Sequence, residues 1–400
     1  MKSYKLKEIC NKITDGSHNP PKGIDISEYL MISSKNINND LISYSEPRYL
    51  EKELFESENK RTDIKRGDIL LTIVGTVGRC AVYERDGKVV FQRSVAVIKP
   101  KKEIVNSRYL MYKLISMTNY FEKEARGVAQ KGIYLKQLAN IDINLPNLLI
   151  QEKMVKILDS AKLLINKRKE QIKMLDELVK SQFIEMFGDP INNPMKWEVK
   201  KMKDISTNIM SGNTPKGGEQ VYVESGIMFL RSQNVWKNKL LLDDVAYIDE
   251  ETHSKMKKSS LKHKDILMTK TGRINTENSS LGRAAIFLGE DDSANVNGHV
   301  YLIRLKEEIL NEFVLFILTS KEYRGYIRSV CVGGIDKRQL NKEHIEDFPI
   351  IFPPIEQQEK FVTYVKQVDK LKFEMQNSLK ELEDNFNSLM QRAFKGELLK

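Results

Sequence analysis

Apolar residues recur every seven positions in two long segments of the chain. Each segment contains five such heptads with lysine and glutamate interleaved, which predicts a helix that buries a narrow seam against another helix. A second row of these helices is less regular and holds Arg168, Gln182 and Lys372. We therefore expect the two helices to pair within the chain as an antiparallel coiled coil, a rod of roughly 55 Å for about 37 residues. The seam residues are Leu158, Ile165, Ile172, Val179 and Met186 in the first helix and Phe361, Val368, Met375, Leu382 and Leu389 in the second.

Shorter apolar runs precede each long helix and predict strands. The runs DILLTIV (68–74), CAVYERDGKVVF (80–91) and VAVIKP (95–100) have the lengths and β-branched content of strands, and Asp86-Gly87 falls where a tight hairpin turn is expected. The segments NSRYLMYKLISM (106–117) and NEFVLFILTS (311–320) predict one further helix in each half. Each half is therefore expected to hold a compact domain of strands and helices.

The two halves repeat one another. Gly78-Arg79 returns as Gly282-Arg283 after seven extra residues, which we assign to a longer loop. Other matching pairs are ITDG (13–16) and IMSG (209–212), SKNI (34–37) and SQNV (232–235), GDILLT (67–72) and KDILMT (264–269), IYLKQL (133–138) and IDKRQL (335–340), and LPNLLIQEK (145–153) and FPPIEQQEK (352–360).

This repeat divides the chain into four segments of an α+β fold. A strand-rich domain over residues 1–150 is followed by a long helix over 151–190, and a second such domain over 191–355 is followed by a second helix over 356–400. The two helices then form a rigid separator between two similar heads. Modules duplicated in this way can engage two similar sites on one polymer.

The charge balance is compatible with a nucleic-acid partner. The chain has 65 Lys and Arg against 55 Asp and Glu, a net charge of +10, which favours a polyanionic ligand. A lysine-rich surface that serves only solubility accounts for this charge equally well. Three cysteines without a Cys-x-x-Cys pair suit a reducing cytoplasm. The charged N-terminus and the absence of an 18-residue apolar run predict neither secretion nor a membrane span.

No catalytic motif in the sequence has all the residues that its chemistry requires. Asn19-Pro20-Pro21 is similar to the base-holding loop of amino-methyltransferases, but Lys22 replaces the aromatic residue and no glycine-rich cofactor turn lies nearby. Asp68 with Asp86-Gly87-Lys88 loosely matches a metal-nuclease pattern, for which a hairpin turn is the better account. Residues 75–78 lack the ending of a phosphate loop, and the five histidines are scattered singly. We expect no catalytic residue, no metal site and no cofactor in this chain.

The order of these parts resembles a known family. Two repeated mixed domains, each followed by a helix that opens on Pro-x-x-x-x-Gln-Glu-Lys, are similar to the DNA-specificity subunits of Type I restriction-modification enzymes. The junction Met186-Phe187-Gly188-Asp189-Pro190, followed by Asn193 and Trp197, resembles the link between the halves of those subunits. The resemblance covers essentially the whole chain.

The resemblance implies a division of labour. The two heads would be target-recognition domains, each reading one half of a split, asymmetric sequence in double-stranded DNA. Methylation would come from two modification subunits that carry S-adenosylmethionine and grip the helices. Cleavage would come from two restriction subunits that use ATP and Mg²⁺.

Candidate DNA contacts are polar and basic residues at matching loop positions. Arg, Asn and Gln can make bidentate contacts to base edges, whereas Lys and Ser more often hold phosphates. Positions where the copies differ, such as 92–94 against 297–299, are expected to read different half-targets. The candidates are Lys22, Ser34, Lys35, Asn36, Arg79, Gln92, Arg93, Lys131 and Tyr134 in the first copy, and Lys216, Ser232, Gln233, Asn234, Arg273, Arg283, Asn297, His299, Lys337 and Arg338 in the second.

Two other interpretations remain open at this stage. The chain could be a self-sufficient methyltransferase or nuclease with an unrecognised active site, in which case the purified chain alone would modify or cut DNA. It could also be a two-headed adaptor that binds proteins. Binding to duplex DNA that does not weaken as salt rises would favour the adaptor, because phosphate contacts release counterions.

Overall fold

The computed structural model describes residues 2–125, 132–274, 276, 278–334 and 337–398. The chain divides into two compact units. Unit 1 combines Met1–Glu170 with Gln376–Lys400, and unit 2 is Gln171–Met375. Each unit therefore contains one strand-rich head, part of the helix that follows that head and part of the other long helix. No helix in the described part of the chain combines the length and apolar character needed to cross a membrane.

In the first half of the chain, short strands alternate with helices before one long helix. The strands are β1 (Lys2–Lys5), β2 (Cys10–Asp15), β3 (Tyr29–Ile32), β4 (Ile37–Asn38), β5 (Leu41–Ile42), β6 (Arg48–Leu50), β7 (Ile69–Thr72), β8 (Cys80–Val82), β9 (Val89–Phe91), β10 (Val95–Pro100) and β11 (Asp142–Leu145). The helices are α1 (Lys52–Thr62), α2 (Ser107–Ser116), α3 (Thr118–Glu124), α4 (Leu135–Ala139) and α5 (Leu148–Phe187).

The second half repeats this pattern. Its strands are β12 (Val199–Lys201), β13 (Ser206–Ser211), β14 (Ile227–Leu230), β15 (Ala246–Ile248), β16 (Ile266–Thr269), β17 (Thr271–Gly272), β18 (Ala284–Ile286), β19 (Ala294–Val296), β20 (Val300–Leu305), β21 (Val332–Gly333), β22 (Arg338–Gln339) and β23 (Pro349–Ile351). Its helices are α6 (Met202–Ile205), α7 (Glu250–Lys255), α8 (Asn311–Thr319), α9 (Lys321–Val330), α10 (Lys342–Glu346) and α11 (Ile355–Lys395).

The sheets of the two heads have matching topologies. The antiparallel sheet β2-β10-β7-β8 of unit 1 corresponds to β13-β20-β16-β18 of unit 2. The sheet β6-β3-β9 corresponds to β15-β14-β19, and in both of these the last pair is parallel. The small sheet β1-β11 likewise corresponds to β12-β23. The predicted α+β class and the predicted internal repeat are both confirmed.

The hairpin predicted at Asp86-Gly87 is wrong. β8 pairs with β7 in one sheet, whereas β9 pairs with β3 in another, so the two strands on either side of this turn are not partners. All three residues of β9 are buried, as are all four of β7. A strand covered on both faces belongs between packed layers rather than in an isolated hairpin. The turn therefore carries the chain from one sheet to the next.

The glutamine of the repeated Gln-Glu-Lys phrase bonds the first turn of each long helix to the segment that precedes it. Gln151 and Gln358 are both buried, and the side-chain amide of each donates a hydrogen bond to a proline carbonyl five residues earlier, Pro146 at 2.9 Å and Pro353 at 2.7 Å. In unit 1, the Gln151 side chain also accepts a hydrogen bond from the backbone N–H of Asn106, the residue before α2, at 2.9 Å. The glutamine thus fixes how the chain enters each long helix.

The long helices pack against each other in an antiparallel sense within each unit. In unit 1, the first section of α5 packs with the last section of α11, where Lys169 pairs with Glu383 at 2.7 Å. In unit 2, the last section of α5 packs with the first section of α11, where Lys372 pairs with Asp176. Of the predicted seam, Leu158, Ile165, Val179, Phe361 and Val368 are buried, and Ile172, Met186, Met375, Leu382 and Leu389 are half-buried.

A cluster of aromatic side chains attaches the head of unit 2 to the long helices. In unit 2, the aromatic rings of Phe183, Phe187, Phe313, Phe316 and Phe361 pack together, with ring centroids as close as 4.8 Å. Aromatic clusters of this kind combine a large buried apolar area with favourable edge-to-face contacts. The attachment in unit 2 is therefore mainly apolar.

An ion pair joins head and helix at one equivalent position in both units, with the charges exchanged. In unit 1, Arg108 of α2 pairs with Asp159 of α5 at 2.7 Å, and Tyr112 donates a hydrogen bond to the same carboxylate at 2.7 Å. In unit 2, Glu312 of α8 pairs with Lys366 of α11 at 3.3 Å. Arg108 and Glu312 are each the second residue of their helix. Asp159 lies eight residues after Gln151, and Lys366 lies eight residues after Gln358. We call these the charge-exchanged bridges.

Candidate nucleic-acid interface

A cleft of about 680 Å³, lined mainly by polar and basic residue types, opens where strands of unit 1 end. Its lining comes from the loops that follow β2, β3, β7 and β9, which the sheet topology brings to one edge. Five of the predicted contacts meet here: Ser34, Lys35, Arg79, Gln92 and Arg93. The cleft also includes His18 and Ser94.

A glycine allows the loops of this cleft to approach one another. A Cβ on Gly16 would lie 2.0 Å from the carbonyl oxygen of Phe91, so no larger residue fits. Beside it, the N–H of Ser17 donates to that oxygen at 2.7 Å, and the N–H of Arg93 donates to the carbonyl of Ser17 at 2.8 Å. The N–H of Ser34 donates to the hydroxyl of Ser94 at 3.1 Å. The backbone thus holds three loops in fixed register.

The donor groups of the cleft are largely free for a ligand. Arg93 is exposed, and within the described part of the chain its guanidinium forms no ion pair or hydrogen bond. Arg79 donates one hydrogen bond, to the side chain of Asn38 at 3.2 Å, which leaves its other N–H groups available. Lys35 is exposed. Such a set of arginine, glutamine and lysine side chains can contact both base edges and phosphates.

His18 is a cleft residue that the sequence did not single out. Its Nε2 lies 2.8 Å from the buried carboxylate of Asp15, which also accepts a hydrogen bond from Arg61. Arg61 comes from α1, far away in sequence, so no local pattern predicts this contact. The position of His18 just after the Gly16 turn is the one signal that could have indicated it.

The paired asparagines of the two copies serve the backbone. Asn36 accepts from the N–H of Ser33 at 3.0 Å and donates to the carbonyl of Ser45 at 3.1 Å. Asn234 is buried, accepts from the N–H of Arg231 at 2.8 Å and donates to the carbonyls of Leu241 and Asp244. The hydrogen-bonding groups of Asn234 are therefore engaged within the fold and do not face a ligand.

Two of the remaining candidates of unit 1 have exposed side chains. Lys22 is exposed, and so is Tyr134, at 67% of its surface. The N–H of Ile133 donates to the carbonyl of Ile73 at 2.9 Å, which brings the Tyr134 segment beside the loop that follows β7. Lys131 lies outside the described residues.

Unit 2 has the same backbone corner with different side chains. A Cβ on Gly212 would lie 2.1 Å from the carbonyl oxygen of Val296, as Gly16 does with Phe91. Asn297 therefore corresponds to Gln92, and its side chain accepts from the N–H of His299 at 3.1 Å. Lys216, Gln233 and His299 are exposed and Ser232 is half-buried, although Gln233 already donates to Asp244 at 2.8 Å.

A small three-stranded sheet, β17-β22-β21, lies at the start of the longer loop of unit 2. β22 pairs with both β17 and β21, and Arg338 lies opposite Gly272 and Gly333 in this pairing. Arg273 and Lys337 flank these strands and are exposed, whereas Arg338 is half-buried and donates to the carbonyl of Cys331 at 3.1 Å. The structure therefore brings these three predicted contacts to one small sheet.

Arg283 is held inside unit 2 rather than presented to solvent. It is buried, it donates to the carbonyls of Ser279 and Asn278, and its guanidinium lies 3.8 Å from the ring centroid of Trp236. Burial lowers the pKa of Arg283 from its ordinary value. Its contacts anchor the end of the longer loop, which differs from the direct base contact that the sequence suggested.

The cysteines are inert in this fold. All three thiols are buried and free, and burial raises the pKa of Cys10 to about 12. A thiol with such a pKa is protonated at neutral pH and is a poor nucleophile. Within the described residues, no group of His, Cys, Asp and Glu side chains is arranged to hold a metal ion.

Comparison with known proteins adds family information to this geometry. The profile of the Type I restriction modification DNA specificity domain matches residues 1–174 and 194–384. The specificity subunit of the Type I restriction enzyme MjaVIII from Methanocaldococcus jannaschii is 25% identical over 325 residues, which cover 78% of this chain and 75% of that protein. The StySPI specificity subunit from Salmonella potsdam is 20% identical over 424 residues, covering 99% and 86%.

A solved structure shares the fold. A chain from a study of complex assembly and conformational transition of the type I R-M system has a TM-score of 0.59 at 16% identity, covering 99% of this chain and 98% of that one. At this level of identity the likeness is one of fold.

Proposed function

The chain belongs to the Type I restriction modification DNA specificity family, and we propose that it is the specificity subunit that selects a DNA target for partner subunits. Each unit reads one half of a bipartite, asymmetric sequence in double-stranded DNA. The observation that supports this most directly is that the two units share a backbone corner, built on Gly16 and Gly212, but place different side chains on it. Two similar backbone arrangements that carry different side chains suit two dissimilar half-targets.

The proposal leaves the chemistry to the partners. Two modification subunits bind S-adenosylmethionine and methylate the target, and two restriction subunits use ATP and Mg²⁺ to cleave DNA, all in the cytoplasm. The chain itself contributes recognition, through the cleft donors Arg79, Gln92 and Arg93 in unit 1 and through His299 and Arg273 in unit 2. Arginine and glutamine can make bidentate contacts to guanine and adenine, and these separate one base from another by about 1–3 kcal/mol.

The long helices are the proposed dock for the modification subunits. Large apolar side chains are exposed on them in both units: Leu163 and Leu164 in unit 1, and Met174, Leu178 and Phe373 in unit 2. Exposed apolar groups on a helix face are typical of a surface that a protein partner covers. The modification subunits are the proposed partner that covers this surface.

Methylation mapping tests the proposed function. We expect cells that express the chain with its modification subunits to methylate one motif that has two dissimilar halves and an unspecified spacer, and we expect that motif to vanish without this chain. A motif that persists in its absence would contradict the proposal. The purified chain alone is expected to neither transfer methyl groups nor cut DNA, and either activity would favour a self-sufficient enzyme.

A further inference from the structure

Three arginines of unit 2 gather beside the end of the longer loop. Arg324 and Arg328 lie one helical turn apart on α9, and Arg283 follows the glycine against which that helix packs. A Cβ on Gly282 would lie 2.9 Å from the side chain of Ile327, so α9 sits directly on this turn. We call Arg283, Arg324 and Arg328 the arginine cluster.

None of the described residues provides the arginine cluster with a carboxylate partner. Within the described part of the chain, none of the three guanidinium groups forms an ion pair. One terminal nitrogen of Arg324 is buried and has no hydrogen-bond partner there. Burial, followed by the charges of Arg328 and Arg283, lowers the pKa of Arg324. Like charges with unused donors are costly unless an anion joins them.

The members of the cluster differ in how firmly they are held. Arg283 is fixed by the ring of Trp236 and by two loop carbonyls, so it positions the loop end and supplies charge. Arg324 and Arg328 are half-buried residues of α9. Guanidinium groups of this kind donate in a planar fork that matches two oxygens of a phosphate.

Among the described residues of unit 1, no such cluster lies at the corresponding place. There α3 meets Gly78 through Thr118, and this helix carries Glu122, Lys123 and Glu124. Arg79, the counterpart of Arg283, turns to Asn38 instead. The two carboxylates on this helix would repel a phosphate, and among the described residues the arginine cluster is found in unit 2.

We infer that the arginine cluster binds a backbone phosphate of the DNA at the half-target of unit 2, with Arg324 and Arg328 as donors and Arg283 as the positioning residue. This inference rests on the proposed function. It assigns to α9 a sequence-independent contact that sets the register of the duplex against the loop residues that read bases. Contacts of this type fix orientation and supply salt-dependent affinity.

The slope of affinity against salt tests the inference. The full chain is assembled with its modification subunits, and its affinity for a duplex that holds the mapped target is measured at salt concentrations from about 50 to about 200 mM. Over this range the contribution of phosphate contacts to affinity falls steeply. We expect Arg324→Gln and Arg328→Gln each to lower the magnitude of the log–log slope by about 0.9, and the double variant by about twice that. The loss of affinity should be the same for targets altered in either half.

Matched variants separate charge from folding. Lys123→Gln, on the corresponding helix of unit 1, should leave the slope unchanged, and Arg328→Lys should keep it because the charge remains. If Arg324→Gln does not fold, as judged by thermal unfolding, Arg328→Gln alone reports on the same surface, since no nitrogen of Arg328 is buried without a partner in the described structure.

The outcomes that overturn the inference are distinct from those that overturn the proposed function. A folded double variant that binds DNA with the wild-type slope shows that the arginines serve the fold alone. A changed base preference at the half-target of unit 2 with an unchanged slope would make them base readers. Failure of the wild-type assembly to prefer the mapped duplex over an unrelated one would instead defeat the proposed function.

Discussion

The backbone at the end of β7 matches that at the end of β16, but the arginine that follows has different surroundings in the two units. In unit 1, Thr72 accepts from the N–H of Arg79 at 2.9 Å, and in unit 2, Thr269 accepts from the N–H of Arg283 at 2.9 Å. Yet Arg79 reaches the cleft beside Asn38, whereas Arg283 is buried against Trp236 under a loop seven residues longer. Residues shared by the two copies therefore build the backbone frame, and the role of an arginine on that frame depends on its neighbour.

Five phenylalanine rings attach the head of unit 2 to the long helices, whereas in unit 1 Tyr109 and Tyr112 pack on phenylalanines of α11. The largest effect is expected at the five rings of unit 2. Phe183→Ala should destabilise unit 2 by about 3–5 kcal/mol, because a buried ring surrounded by four others leaves a cavity. Both tryptophans of the chain, Trp197 and Trp236, lie in unit 2, so their fluorescence during denaturant unfolding reports on this unit. Phe183→Leu should cost clearly less, and an unshifted fluorescence midpoint for the alanine variant would contradict the aromatic anchor.

Reversing one charge should weaken unit 1 more moderately. Arg108→Glu places a third carboxylate beside Asp159 and Asp40, and we expect a loss of roughly 2 kcal/mol after allowance for partial solvent exposure. Burial already raises the pKa of Asp40, so a further negative charge there is poorly tolerated. Hydrogen exchange of the α2 amides measures the effect.

The compensating change sharpens this test. Arg108→Glu combined with Asp159→Lys reproduces the arrangement of Glu312 and Lys366, and the double variant should recover part of the lost protection. Additive losses in the double variant would show that the two residues do not act as a pair.

Arg93→Ala should alter recognition in one half of the target only. Its unpartnered side chain in the cleft of unit 1 has no counterpart in unit 2, where Gly298 takes its place. We expect discrimination at one base pair to fall by about 1–3 kcal/mol. Binding to two DNA libraries, each randomised in one half, measures it. An equal change in both halves would refute the assignment of one reader to each half.

Trp236→Asn imitates unit 1 and should have the smallest effect. The stacking of Arg283 on the ring is worth about 0.5–2 kcal/mol, so its loss loosens the loop end and weakens discrimination in the half-target of unit 2 by a few-fold. Binding to the same two half-randomised DNA libraries measures this change. Asn38→Ala, which removes the hydrogen-bond partner of Arg79, is the control in unit 1. A Trp236→Asn effect confined to the unit 1 half would contradict the match between these corners.

Periodic and repeated features were predictable from the sequence, and contacts between distant segments were not. The heptads and the paired Gln-Glu-Lys phrases are local patterns, and α5 and α11 begin at Leu148 and Ile355, close to the expected starts. The Asp86-Gly87 hairpin failed because the sheet that a strand joins depends on which faces of that strand are covered. The burial of Arg283 needed knowledge of Trp236, 47 positions away.

The candidate site was predictable in part for the same reason. The Gly16 and Gly212 turns and their matching loops followed from the repeat, and five predicted residues do line one cleft. Asn234 was proposed as a reader because its side chain suits adenine, yet the same amide satisfies three backbone groups. Arg324 and Arg328 were not predicted because α9 lies between the matched segments 311–320 and 335–340 and belongs to neither. Their grouping with Arg283 depends on the packing of α9 against Gly282.

The charge-exchanged bridges constrain how genes of this kind can recombine. A crossover that traded whole heads between the two copies would set Arg108 against Lys366 and Glu312 against Asp159, so both products would carry like charges at the joint. A crossover upstream of α2 and α8 would leave each helix pair intact and still deliver a new reading surface. Viable hybrids should therefore have their breakpoints before residues 107 and 311, with both bridges inherited whole.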